Sequence, residues 1–163
     1  MLSALTEISI PSSVNKISGY NAFYNCKNLL SINVAEANTA YCSIEGVLFN
    51  KEMTELMLYP SQKIDTEYTI PDGVVSLADY AFDDNLNIMH IGIPDSVTHI
   101  GECVFTGCEN LSSFSFSENI EYIGQNTFSG TAWLEMQKET DPVVYVNNIL
   151  VDGKGGKRRD YNS

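Results

Sequence analysis

Ile93-Pro94-Asp95-Ser96-Val97-Thr98-His99-Ile100-Gly101-Glu102-Cys103-Val104-Phe105-Thr106-Gly107-Cys108-Glu109-Asn110-Leu111 is the stretch that decides the fold. Its pattern returns upstream as Ile70-Pro71-Asp72-Gly73-Val74, Leu77 and Ala81-Phe82, and downstream as Phe116-Ser117-Glu118-Asn119-Ile120, Ile123 and Thr127-Phe128. The step from Pro71 to Pro94 to Ser117 is 23 residues each time. A further copy opens the chain as Ile10-Pro11-Ser12-Ser13-Val14, Ile17 and Ala22-Phe23, with one extra residue before the Phe. A fixed period in the twenties predicts a solenoid in which each repeat is one coil stacked on the next. Solenoids present surfaces more often than they enclose reaction chambers.

Within a repeat the first segment alternates as a strand does. In Leu5-Thr6-Glu7-Ile8-Ser9-Ile10, Ile8 and Ile10 face one way and Glu7 and Ser9 the other. Equivalent strands are expected at Leu29 to Val34, Ile88 to Ile93 and Leu111 to Phe116, stacked in parallel as one sheet. Pro11, Pro71 and Pro94 end their strands because proline has no N–H for the ladder. Ser18, Ala78, Gly101 and Gly124 form a column of small residues, which predicts close approach of neighbouring coils. Asn25, Asp84, Gly107 and Gly130 tolerate positive φ, so a short helical turn is expected to end at each. Asn28, Asn87 and Asn110 read as a buried asparagine column that satisfies turn backbone from coil to coil.

The repeat is interrupted between Val34 and Tyr68. Two apolar runs flank a polar tetrad there, which predicts a β-hairpin over residues 41–60. Asn148-Ile149-Leu150-Val151-Asp152 repeats the start of that insertion, Gly46-Val47-Leu48-Phe49-Asn50. Residues 134–163 therefore read as either a C-terminal cap or a truncated repeat module, and Trp133 is expected to cover the end of the core. With no polar cap before Leu5, the chain reads as a segment of something longer or a trimmed piece.

The chain has 163 residues, of which 44% are hydrophobic, enough for one domain with a continuous core. Formal net charge is −12, and five basic residues stand against twenty acidic ones up to Gly153. Such a body repels nucleic acid and anionic membrane. Lys154, Lys157, Arg158 and Arg159 crowd the last ten positions, where a solvated end is the simpler reading than a binding arm. No apolar run approaches the roughly 18 residues of a membrane span, and no secretory leader is expected in this segment, since Met1-Leu2-Ser3-Ala4-Leu5 runs straight into the first repeat.

Ile-Pro-x-x-Val-x-x-Ile-Gly-x-x-x-Phe-x-x-Cys-x-Asn-Leu, as at Ile93 to Leu111, resembles the BspA-like (treponemal-type) leucine-rich repeat. The Gly-Val-Leu-Phe-Asn-Lys insertion and the Gly-Thr-x-Trp-Leu segment are similar to features of that family, and the resemblance covers nearly the whole chain. It implies a leucine-rich-repeat solenoid of the α/β class, predominantly β: a right-handed coil with a parallel sheet on one face and short helical turns on the other. It also implies a bacterial protein, secreted or at the cell surface, whose partners are host matrix proteins, cell-surface proteins or other bacteria. Fold carries over from such kinship and ligand does not.

Candidate chemistry is thin. Cys26 and Cys108 share one repeat position, several coils apart, beyond the Cα separation of about 7 Å that a disulfide allows. Four free thiols, Cys26, Cys42, Cys103 and Cys108, are expected, the buried ones acting as small hydrophobes. His90 and His99 fit no metal-ligand spacing, and a Cys/His nucleophile is disfavoured. Asp72, Asp95 and Glu118 form one acidic column and Asp79 and Glu102 another, which read as a solvated ridge more readily than as a divalent-cation ladder. These readings leave no catalytic residue, cofactor or metal, and a monomeric chain. The candidate protein-binding face is the outer side of the sheet: Glu7, Ser9, Ser31, Asn33, Thr69, His90, Gly92, Ser113 and Ser115. Its small polar residues offer few anchors of the hot-spot kind, so an adhesion module and a spacer that presents a distal binding domain are both open.

Overall fold

A computed structural model describes residues 5–18, 20–23 and 26–153, with the backbone alone at 20 and 21. Asn25 and the basic tail lie outside the described residues. The chain is a predominantly β solenoid of about five turns. Front strands β1 (Glu7–Ile10) and β2 (Ser31–Val34) pair in parallel, Glu7 against Ser31 and Ile10 against Val34. Further along, β6 (Glu67–Thr69), β8 (His90–Gly92) and β10 (Ser113–Ser115) form a second parallel ladder. Tyr68, Ile91 and Phe114 fall in register on its inner side.

The sequence pointed to one sheet backed by helical turns, and the structure holds a second sheet. Two-residue strands β7 (Ser76–Leu77), β9 (His99–Ile100) and β11 (Tyr122–Ile123) lie just past the turns at Pro71, Pro94 and Ser117 and stack in parallel. They were hidden because two residues are too short to show alternation. Counted from its front strand, coil 1 begins at β1, coil 2 at β2, coil 3 at β6, coil 4 at β8 and coil 5 at β10. On the remaining arc, coils 3 to 5 are closed by successive turns, and a 3-10 turn occurs at Tyr20–Phe23 in coil 1. Tyr80, Cys103 and Asn126 form a column in left-handed backbone at φ 60°, 54° and 56°. Asp84, Gly107 and Gly130 form the second positive-φ column that the sequence suggested, at 56°, 73° and 79°.

Residues 41–60 hold three strands rather than two: β3 (Tyr41–Ile44), β4 (Val47–Asn50) and β5 (Glu55–Leu58) in an antiparallel meander. The turn between β3 and β4 is Glu45-Gly46, both at positive φ (50° and 81°), the conformation a two-residue hairpin needs. β5 then pairs in parallel with β7, so the insertion joins the second sheet and supplies a coil of its own. At the other end β12 (Val144–Val146) and β13 (Ile149–Asp152) repeat the β3–β4 hairpin, with Asn147 (φ 52°) in the place of Glu45. Before them stands one helix, α1 (Ala132–Thr140). Its N-cap is Thr131, whose Oγ1 accepts a bond from Leu134 N at 3.1 Å. Lys138 ties α1 to β13 through Asp152 at 2.9 Å.

Aromatic rings run through the core from coil to coil. Tyr59 stacks on Phe82 at 4.8 Å, Phe82 meets Phe105 at 5.3 Å, and Phe105 stacks on Phe128 at 5.9 Å. Trp133 closes the column 4.8 Å from Phe128, also touching Phe114 and Phe116, and so covers the end of the core. A separate smaller core holds Ile10, Cys26, Leu29, Ile32 and Leu48 around coil 1 and β2.

Buried polar groups are placed differently from the asparagine column expected at 28, 87 and 110. Asn87 is half-buried and Asn110 exposed, though each donates one coil back, to Lys63 O at 3.1 Å and Leu86 O at 2.6 Å. The buried column lies three residues after each Phe: Cys26, Asn85, Cys108 and Thr131. Asn85 Nδ2 donates to Pro60 O at 3.0 Å, Cys108 Sγ to Phe82 O at 3.0 Å, and Thr131 Oγ1 to Phe128 O at 2.8 Å. Three residue types thus do one job, capping carbonyls that face the core. Asn38 does the same for coil 1. Its amide donates to Pro11 O at 2.8 Å and Val14 O at 2.9 Å, and its Oδ1 accepts from Ala40 N and Tyr41 N.

Two measurements check this arrangement. Phe105→Ala removes a fully buried ring between two others, and a urea melt is expected to show a loss of about 3–5 kcal/mol; a loss below about 1 kcal/mol contradicts the core column. All four cysteines are free, and burial pushes the Cys108 thiol up to about 12. Thiol titration should therefore find four reactive groups in denaturant, with Cys108 silent in the native protein at neutral pH; an absence of thiols in denaturant contradicts the placement.

Candidate protein-binding face

Strand pleating puts Glu67 and Thr69, His90 and Gly92, and Ser113 and Ser115 on the outer side of the second front ladder. Register aligns them into two rows, Glu67–His90–Ser113 and Thr69–Gly92–Ser115. His90 joins the rows: Nδ1 lies 2.8 Å from Ser113 Oγ and Nε2 3.3 Å from Ser115 Oγ. Each serine hydroxyl can donate or accept, so both ring nitrogens have a partner. The ring thus reaches the second row at Ser115. Gly92 itself is buried and presents no surface; a Cβ there would sit 3.0 Å from Thr69 Oγ1.

Glu7, Ser9, Ser31 and Asn33 belong to the other front ladder. Glu7, Ser9 and Asn33 are exposed, and Ser31 is half-buried with its hydroxyl 3.3 Å from Asn33 Oδ1. The neighbour of β2 on its free side is the Glu45-Gly46 turn and not β6. Ile32 N donates to Gly46 O at 2.9 Å and Val34 N to Ser43 Oγ at 3.0 Å. Gly46 is needed there, because a Cβ would lie 2.7 Å from Ser31 Oγ. The nine residues therefore form two patches, four on β1–β2 and five on β6–β8–β10. Ile44 (44% exposed) and the exposed Glu45 stand on the turn that β2 contacts. Sequence reading missed them because it put the turn in the polar stretch after Asn50; the lone Gly46 before an apolar run was the available signal.

The remaining candidates are scattered. His99 is on the second sheet, its Nδ1 2.8 Å from Thr98 Oγ1 and its ring 6.1 Å from Tyr122. Cys42 Sγ donates to Asn50 O at 3.3 Å, and desolvation raises its thiol above the ordinary range. Cys103 is half-buried in its left-handed turn. Asp72, Asp95 and Glu118 are exposed, and Asp79 accepts Glu102 N at 2.7 Å, so its carboxylate serves the next coil. Among the described residues no three His, Cys, Asp or Glu are grouped so as to hold a metal ion. No described helix is long and apolar enough to cross a membrane.

No curated protein matches the chain. Solved structures do. A leucine-rich repeat protein from Eubacterium ventriosum is 34% identical with a TM-score of 0.72, matching 78% of this chain and 34% of its own. A leucine rich cell surface protein from Faecalibacterium prausnitzii is 35% identical with a TM-score of 0.71, again over 78% of this chain and 34% of its own. The pneumococcal vaccine antigen PcpA is 25% identical with a TM-score of 0.73, over 79% of this chain and 37% of its own. The chain thus spans about a third of the length of these proteins. The family model for the BspA type leucine rich repeat region matches residues 1–65 and 39–148 in six copies. This chain belongs to the BspA type leucine rich repeat family.

Proposed function

We propose that this solenoid is a non-enzymatic adhesion module of a bacterial surface or secreted protein. Its ligand is a host matrix or cell-surface protein that contacts the front face around His90. The observation that carries this reading is the polar three-strand face, where Glu67, Thr69, Ser113 and Ser115 stand exposed about a half-buried His90. Most other periodic polar positions are committed to the fold: Asn85, Cys108 and Thr131 to core-facing carbonyls, Asn87 and Asn110 to the coil before, Asp79 to the coil after. Kinship supports the setting, since one relative is a cell surface protein and another a vaccine antigen.

One observation favours a second reading, a spacer that presents a binding domain elsewhere. The face holds no exposed tryptophan, tyrosine or arginine, the anchors from which tight interfaces are built. Binding through it would be weak per segment and strengthened by repetition in a longer array.

Capture by immobilised collagen, laminin and fibronectin separates the two. The adhesion reading expects saturable binding to at least one, weakened at least tenfold by Thr69→Arg, which puts a bulky charge on the face while leaving the core alone. Saturable binding to none, or binding indifferent to Thr69→Arg, supports the spacer.

A further inference from the structure

Coil 2 is shorter than its neighbours on one arc. From Leu77 to Phe82, from Ile100 to Phe105 and from Ile123 to Phe128 the chain takes five residues, whereas Leu56, the register partner of Leu77, is three residues from Tyr59. Ala78 N donates to Leu56 O and Tyr59 N to Ala81 O, so Asp79 and Tyr80 have no counterpart in coil 2. The shortened arc leaves a recess between coil 1 and coil 3. It is a cleft of about 260 Å³ whose lining includes Phe23 and Lys27 from coil 1, Tyr59 from coil 2, and Tyr80, Asp83 and Asp84 from coil 3. Lys27 Nζ and Asp84 Oδ2 pair across it at 3.1 Å.

That pairing leaves Asp83. Its side chain is half-buried and, among the described residues, makes no hydrogen bond or ion pair. Burial first, then the neighbouring Asp84, push its carboxyl up to about 6, against a smaller opposing pull from Lys27. An unpaired carboxylate beside aromatic rings gains from a cation more than one in open water does.

We propose that this cleft takes a basic side chain of a partner protein, lodged between Phe23 and Tyr80 with its cationic head on Asp83. The volume lies below the roughly 300–1,000 Å³ of small-molecule sites, so it suits one side chain. Lysine has an aliphatic stem for the apolar walls and a compact charge for a single carboxylate. Tyr59 already shows the chemistry within the chain, with Lys63 Nζ 5.8 Å from its ring centre. A net charge of −12 favours encounter with basic partners. This site is independent of the front face and does not rest on the adhesion reading.

The test is an NMR titration of the whole chain with a blocked lysine peptide, its glutamine counterpart and putrescine. Saturable shifts are expected in the amides of coils 1 to 3 with the lysine peptide and not with glutamine. Asp83→Asn should weaken binding at least fivefold, whereas Asp95→Asn, on the exposed acidic column, should not change it. Asp83→Asn removes no bond, so its melting midpoint at neutral pH should be kept or raised; a lowered midpoint exposes a structural role and overturns the proposal. Equal binding of the glutamine peptide, indifference to Asp83→Asn, or binding of putrescine without the lysine peptide would each overturn it. Loss of this site leaves matrix capture untouched, and loss of matrix capture leaves this site untouched.

Discussion

The structure depends on coils approaching until backbone meets backbone. Gly101 N donates to Leu77 O at 3.0 Å and Gly124 N to Ile100 O at 2.8 Å. At Gly101 a Cβ would sit 2.8 Å from Asp79 N and 2.9 Å from Leu77 O; at Gly124 it would meet Gly101 C and O at 2.5 Å. Because no side chain fits at these two points, the coils lie in fixed register, and everything else repeats with them. The proline turns recur, the ladders align, and the rings of Phe82, Phe105 and Phe128 fall within 6 Å of one another. A single coil buries too little to hold its backbone in one conformation, so stability is a property of the stack.

Close stacking also dictates where polar chemistry goes. A coil of this size turns sharply, and each turn leaves carbonyls facing inward. A small donor at a fixed position answers them, as Asn85, Cys108 and Thr131 do. The thiol of Cys108 is therefore a hydrogen-bond donor in the core, well away from its reactive range. Once such positions are assigned to the fold, Cys42, Asp79 and Cys108, which look chemically suggestive in isolation, have structural employment. What remains is the front face and the recess left by the short arc of coil 2.

Features that recur at 23 residues were legible in the sequence, because periodic constraints leave periodic residues. The prolines, the small column of Ala78, Gly101 and Gly124, the phenylalanines and the positive-φ sites at Asp84, Gly107 and Gly130 all belong here. What broke the period was not. Tyr59 is a member of the ring column, but a shortened arc displaced it from the counting frame. β3, the first strand of the meander, was concealed because the turn after it carries a single glycine, Gly46, and α1 because its capping residue, Thr131, also fills a repeat position. The front face was legible as alternation along each strand. Its division into two patches was not, since that follows from the Glu45-Gly46 turn docking on β2, a contact no local pattern encodes.

Gly101→Ala in a urea melt tests the central claim most directly, because the two possibilities differ in sign. Gly101 has no need of positive φ, so in open space alanine would stabilise the protein by about 0.4–1 kcal/mol through the unfolded chain. Against the backbone of Asp79 and Leu77 the added methyl has to push two coils apart, and the account predicts a loss of about 1–3 kcal/mol. A melt unchanged or shifted toward greater stability would contradict close-packed coils as the basis of this fold.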